Sequence, residues 1–262
     1  MLTRTFIHVP GLGAHTEREL WRQGCVSWER FLQSPEEFQT GGCDRGLFER
    51  SVSGSVEALS IGNHQFFQSG LGSREAWRAW PEFRRKCVYL DIETDGGMGA
   101  DSITCVGLYD GQAFRCLIAG EDLGLFPDII SHYSMIVTFF GSGFDLPMLR
   151  RAFPQFHQDH IHLDLCPTLK RLGYRGGLKK IEKQMGIARG DDTDGLDGKD
   201  AIRLWRMHQR GDRRALDTLI AYNQEDVVNM ERLAEIAYDK LARQTLGEAG
   251  LAHLMDGQEA LL

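Results

Sequence analysis

The sequence has no CxxC pair; its six cysteines, Cys25, Cys43, Cys87, Cys105, Cys116 and Cys166, are scattered along 262 residues. At this length, and in a reducing compartment, a disulfide framework is not expected. Cys87, Cys105 and Cys116 lie within apolar runs, where a free thiol acts as a small hydrophobe. Nowhere do about 18 apolar residues follow one another, so no membrane-spanning helix is expected. The opening MLTRTFIHVPGLG lacks a long apolar region followed by a small-residue cleavage site, and the expected compartment is the cytoplasm. There is no internal repeat and no low-complexity tract. An excess of positive charge is missing as well. The formal charge is −7, which by itself disfavours a partner held by phosphate neutralisation. A carboxylate site that binds cations adds negative charge of its own, so local distribution decides more than the sum.

What is present suffices for a sizeable core: 42% of residues are hydrophobic and 26% charged, as in ordinary globular domains. Residues 1–80 read as a small helical hairpin segment with a connector, 81–240 as the main domain and 241–262 as a tail with little pattern. In the first segment the turn Pro10-Gly11-Leu12-Gly13 precedes a helix carrying Leu20 and Trp21, which Gly24 closes. Ser27 is placed to cap a second helix near 27–32. Residues 34–80 are polar and Gly-rich, and a helix-rich connector is expected there.

From Arg84 the pattern turns to strands: CVYLDIE (87–93), ITCVGLY (103–109), QAFRCLI (112–118), MIVTFF (135–140) and HIHLD (160–164). Asp110-Gly111 between the second and third signals a type I′ hairpin. Helices are expected near 123–133, 146–153, 165–172, 177–185, 200–210 and 213–240. Strands first, then helices alternating with further strands, predict an α/β domain with a mixed β-sheet flanked by helices.

Three short motifs carry acids. Asp91 and Glu93 alternate near the end of an apolar strand, and the strand period puts both side chains on one face. Two acids on one face repel, so a cation must sit between them or one must stay protonated. Asp145 opens a helix in GSGFDLPMLR, where a first-turn acid also suits the helix dipole. Tyr222 and Asp226 in AYNQEDVVNM stand at i and i+4, on one helical face. Each motif alone has an ordinary structural reading. Their order and spacing together resemble the DEDD superfamily of 3′→5′ exonucleases, in its Tyr-bearing, DnaQ-like branch, over about residues 84–240. The runs GGLKKIEKQMGI, DGLDGKDAIRLW and YNQEDVVNM are similar to the YprB-type, RNase H-like domain proteins of bacteria.

The resemblance implies an RNase H-like fold and a catalytic set of Asp91, Glu93, Asp145, Tyr222 and Asp226. Its four carboxylates imply two Mg²⁺ or Mn²⁺ ions, since hard oxygen ligands without His or Cys suit these metals. Asp91 is implied to bridge both ions, with Glu93 and Asp226 completing the one that binds the attacking water, Asp145 helping hold the other, and Tyr222 orienting the water. One position departs from the family pattern: Phe140 stands where an Asn is usual. That change removes no ligand, but a polar contact to substrate or to the acid loop is in doubt.

Cations concentrate between Lys170 and Arg214, among them Lys179 and Lys180, with Arg203, Arg206 and Arg210 on one helical face. They read either as phosphate contacts or as a solvated face. HVPGLGAHTERELWRQG is similar to helix-hairpin-helix motifs; Gly11 and Gly13 let the backbone present N–H groups to a phosphate, or simply pack a hairpin. Asp191, Asp192, Asp194 and Asp197 fail the EF-hand spacing, with Arg203 at the twelfth position from Asp192, and read as a solvated loop or lid. His157, His160 and His162 lack partners at zinc-ligand spacing and read as structural. The expected partner is nucleic acid, with a single-stranded DNA 3′ end favoured. Trimming of RNA 3′ ends at the same site and a non-catalytic nucleic-acid-binding module are the alternatives.

Overall fold

Ser27, Asp44 and Asn63 each stand one residue ahead of a helix, and each side chain accepts a first-turn N–H, from Arg30, Leu47 and Phe66 respectively. These caps satisfy donors that a helix start leaves open, and they help cut the N-terminal part of the chain into short helices. The computed structural model describes residues 1–190 and 195–255, in two units: Met1–Phe83 with Ile236–Leu262, and Arg84–Glu235. The first unit holds α1 (Ala14–Arg22), α2 (Trp28–Gln33), α3 (Arg45–Ser60), α4 (His64–Glu75) and α5 (Trp80–Phe83). Gly13 is the N-cap of α1 and Gly24 takes φ +86 just past its end, as the sequence suggests. The Gly-rich connector is helical. Its partners are aromatic: Phe31 and Phe48 lie 4.3 Å apart between centroids, and Trp28 stacks on Phe67 at 6.0 Å.

The second unit contains β1 (Cys87–Thr94), β2 (Ile103–Tyr109), β3 (Phe114–Ile118), β4 (Met135–Thr138) and β5 (Ile161–Asp164), in the order β3-β2-β1-β4-β5. β2 runs antiparallel to β1 and to β3, whereas β4 runs parallel to β1 and to β5. β1 takes the centre of the sheet, and Cys87 to Leu90 at its start are all buried. The sheet is therefore mixed, as expected. Its helices are α6 (Phe126–Ile130), α7 (Asp145–Ala152), α8 (Leu165–Arg171), α9 (Leu178–Gln184), α10 (Gly198–Gln209) and the part of α11 (Arg213–Gly247) up to Glu235. Val88, Leu90 and Ile92 pack on one sheet face with Phe126, Ile130, Leu146 and Leu149. Cys105 and Ile118 share the opposite core with Ala201, Leu204, Trp205, Leu219 and Tyr222. That second face is also the face of Asp91 and Glu93.

Three local expectations are corrected. The hairpin turns one residue later than Asp110-Gly111: Tyr109 pairs with Phe114, and the Asp110 N–H donates to Ala113 O. Only Gly111 has positive φ, at +88, which fits a glycine-first turn rather than type I′ with its two positive φ values. Asp110 instead accepts N–H groups from Gln112 and Ala113 through its side chain. The strand expected to reach 140 stops at Thr138, because Phe140 leaves the extended region with φ +69. The C-terminal stretch from 241 continues α11 to Gly247 and buries Leu241, Ala242, Leu246 and Met255. Apolar residues at helical spacing extend past the point where a tail was expected. Among the described residues no helix is long and apolar enough to cross a membrane.

Candidate active site

Asp91 and Glu93 lie across from Gly107 and Cys105 in the β1–β2 ladder. Gly107 leaves the space that Asn223 fills: a Cβ there would sit 1.7 Å from Asn223 Oδ1. Asn223, fully buried on α11, donates through Nδ2 to Asp91 Oδ2 at 3.0 Å. One helix residue thus fixes the direction of the Asp91 carboxylate. Sequence reading passed over Asn223, although it directly follows Tyr222; nothing local to it points to a glycine on another strand.

Asp145 reaches the same strand from the other side. β1 pairs with β4 only from Cys87 to Tyr89; beyond that, the two parallel strands diverge and the Ile92 N–H donates to Asp145 Oδ1 at 3.1 Å. Asp145, the first residue of α7, is buried. The site therefore stands where the parallel strands end, the usual position for ligands in open α/β sheets.

The i, i+4 spacing holds on α11, where Tyr222 and Asp226 are both buried. Lys179 Nζ donates to the Tyr222 hydroxyl at 3.0 Å and lies 4.2 Å from the ring centroid. Arg189 donates to Asp226 and forms two bonds to Glu182, at 2.7 and 2.9 Å, with its side chain only 3% exposed. Arg189 is the second residue that sequence reading missed. It sits in an irregular stretch after α9, where no periodicity marks its direction.

One carboxylate oxygen from each of Asp91, Glu93 and Asp226 lies within 4.8 Å of the other two, the cluster that could hold a metal ion among the described residues. At that separation each ionised pair repels by about 3 kcal/mol at an effective dielectric of about 20. Burial, then Asp145, Asp226 and Glu93, push the Asp91 carboxyl well above its ordinary range, against the pull of Asn223. Burial and the neighbouring Asp226 and Asp145 do the same to Glu93. Asp226 is raised by burial despite Arg189, and burial pushes Asp145 up to about 7. Burial followed by the nearby acids raises the Tyr222 hydroxyl as well. An all-oxygen donor set of acids, Glu93 and Asp226 buried and Asp91 half-buried, short of positive charge, fits a hard divalent cation.

The remaining candidates divide. Lys179 faces the site, whereas Lys180, Arg203, Arg206 and Arg210 are exposed, the arginines opposite the buried Ala201, Leu204 and Trp205. Arg203 pairs with Asp200 at 3.2 Å. Gly11 is exposed with φ +81, and Gly13 caps α1 without a side-chain bond. His160 and His162 bond to Ile130 O and Thr138 Oγ1, at 3.0 and 2.9 Å. Asp191, Asp192 and Asp194 lie outside the described residues; Asp197 forms a capping box with Asp200 at the head of α10. Asp164, buried at the end of β5, accepts N–H groups from Phe140, Ser142 and Cys166.

A family model described as the RNase H superfamily matches residues 88–238, which takes in every acid of the set. No curated protein matches the chain.

Proposed function

The chain belongs to the RNase H superfamily, a nuclease-type domain acting on nucleic acid, and from that premise we propose a metal-dependent 3′→5′ exonuclease of the Tyr-bearing DEDD branch, akin to the YprB-type proteins. The observation that carries the reading is the convergence of Asp91, Glu93 and Asp226 within 4.8 Å, from sequence positions 135 apart at the extremes, with Tyr222 one turn ahead of Asp226. Asp91, Glu93 and Asp226, with Asp145 beside them, would hold two Mg²⁺ or Mn²⁺ ions, which supply charge stabilisation at the phosphodiester and a lowered pKa for the attacking water.

The chain's own groups do the rest. Asn223 holds the Asp91 carboxylate in one orientation, and the Ile92 N–H does so for Asp145. Because Lys179 donates to the Tyr222 oxygen, the Tyr222 O–H is left to point elsewhere and to donate to a water or a phosphate oxygen. Lys179 also keeps a positive charge beside the developing negative charge, where a preorganised cation acts most strongly. Lys180, Arg203, Arg206 and Arg210 follow the phosphate backbone, with Gly11 and Gly13 as a second phosphate contact in the N-terminal segment. Hydrolysis proceeds from a 3′ end, single-stranded DNA favoured, and releases nucleoside 5′-monophosphates. The test is incubation of 5′-labelled DNA and RNA oligonucleotides with Mg²⁺, Mn²⁺ or EDTA. A metal-dependent ladder shortening from the 3′ end of DNA is expected. Shortening of RNA alone makes it an exoribonuclease, and intact oligonucleotides under every condition refute the reading.

A further inference from the structure

The loop between β4 and α7 holds a bulky side chain in an unfavourable place twice over. Phe140 has φ +69, the one non-glycine residue with positive φ among those described, and its side chain is 56% exposed. A left-handed backbone disfavours a residue of this size, and such strain persists only where the surroundings enforce it. Here they do. The Phe140 N–H donates to Asp164 Oδ1 at 2.8 Å and the Ser142 N–H to Oδ2 at 3.0 Å. The Leu146 N–H donates to Gly141 O at 3.0 Å, which ties the loop to the first turn of the helix headed by Asp145. Gly143 lies under the ring, since a Cβ at that position would meet the Phe140 ring at 2.6 Å. A fixed backbone thus props an aromatic ring outward, a few residues before one of the acids. A hydrophobe with no other task gains by burial, and this one is held away from it.

We infer that Phe140 is the stacking platform for the terminal base of the substrate strand, an inference that rests on the nuclease reading. Every nucleobase offers a π-face, so a single ring accepts any of them and needs the base unpaired. A platform that recognises no base edge suits a strand shortened one nucleotide after another. An aromatic ring where the family pattern has Asn then exchanges a polar contact for a stacking one.

The test uses single-stranded DNA carrying 2-aminopurine at the 3′ terminus or at an internal position, with the full chain in Ca²⁺. Stacking quenches the terminal probe. The unsubstituted protein is expected to quench it, and Phe140→Ala to lose the quench and bind about tenfold more weakly, within the range for stacking one base. Phe140→Trp retains both. Phe140→Gly loses the quench but melts at a higher temperature, because glycine accepts the positive φ without strain; that result separates the role from a folding defect. Unchanged quenching, KM and affinity in both Phe140→Ala and Phe140→Gly overturn the inference while leaving the nuclease reading standing. Absence of any binding or cleavage by the unsubstituted protein overturns both.

Discussion

Glu17 in the first unit and the Asp91, Glu93, Asp226 trio in the second are all acids largely withdrawn from water, and their surroundings treat them in opposite ways. Glu17, 1% exposed, accepts from Thr5 Oγ1, Phe6 N and Ile7 N at 2.5, 2.7 and 3.2 Å, and pairs with buried Arg78 at 2.9 Å. Its charge is matched on the spot. The trio has Asn223 on Asp91 and Arg189 on Asp226, the latter shared with Glu182; no donor among the described residues reaches Glu93. A buried acid with a full set of donors is a structural tie. Buried acids left short of positive charge cost stability unless a cation arrives from outside.

Breaking the trio gives the largest effect. Asp91→Ala or Asp226→Ala is expected to lower metal-dependent cleavage by at least about a thousandfold, the scale of losing several kcal/mol of charge stabilisation. Thermal melting should hold or rise, since repulsion is relieved; normal cleavage in either variant removes the acids from the mechanism. Glu17→Ala should do the reverse: unfolding free energy falls by about 2–4 kcal/mol as the Thr5 hydroxyl and the Phe6 and Ile7 N–H groups lose their acceptor and buried Arg78 keeps only Glu75 as an acidic partner, while the metal requirement of any surviving activity is unchanged. Denaturant titration measures it, and a loss below about 1 kcal/mol would erase the contrast, since surface pairs contribute as much.

The same comparison has a pH signature. Carboxyls raised in the folded state hold protons that the unfolded chain releases. The contribution of Asp145 is full below its ordinary pKa of 3.8 and is lost as pH rises through about 7, and those of Asp91 and Glu93 are lost in the same direction as pH rises. The metal-free protein should therefore melt at progressively lower temperature across that window, and Mg²⁺ or Mn²⁺ added above it should restore the melting point. A melting temperature of the EDTA-treated protein that climbs from the ordinary carboxylate range to neutrality contradicts this.

Smaller effects refine the picture. Lys179→Met should cut kcat about ten- to a hundredfold, as removal of an orienting partner does, with the midpoint of metal titration unmoved. A shifted midpoint would make Lys179 part of the cation balance instead. The exposed Arg206 should matter least: Arg206→Ala weakens oligonucleotide binding slightly and lowers the salt dependence by about one ion. An unaltered salt slope identifies that helix face as merely solvated.

Much of this site is legible along the chain because its signals are local. Alternation on an apolar strand sets Asp91 and Glu93 on one face, helical spacing sets Tyr222 above Asp226, and the apolar runs mark all five strands to within a few residues. Turn chemistry is less legible: the Asp110 side chain takes the N–H groups of Gln112 and Ala113 and moves the turn on by one residue. Only tertiary structure decides who meets whom. Asn223 can hold Asp91 because Gly107, 116 residues earlier in sequence, has no side chain in its way. Asp145 finds the Ile92 N–H because β1 and β4 diverge after Tyr89, and Arg189 reaches Asp226 from a stretch with no periodicity. Periodicity fixes which side of an element a residue occupies; the order of strands and the places where they part fix what lies opposite, and no single segment encodes that.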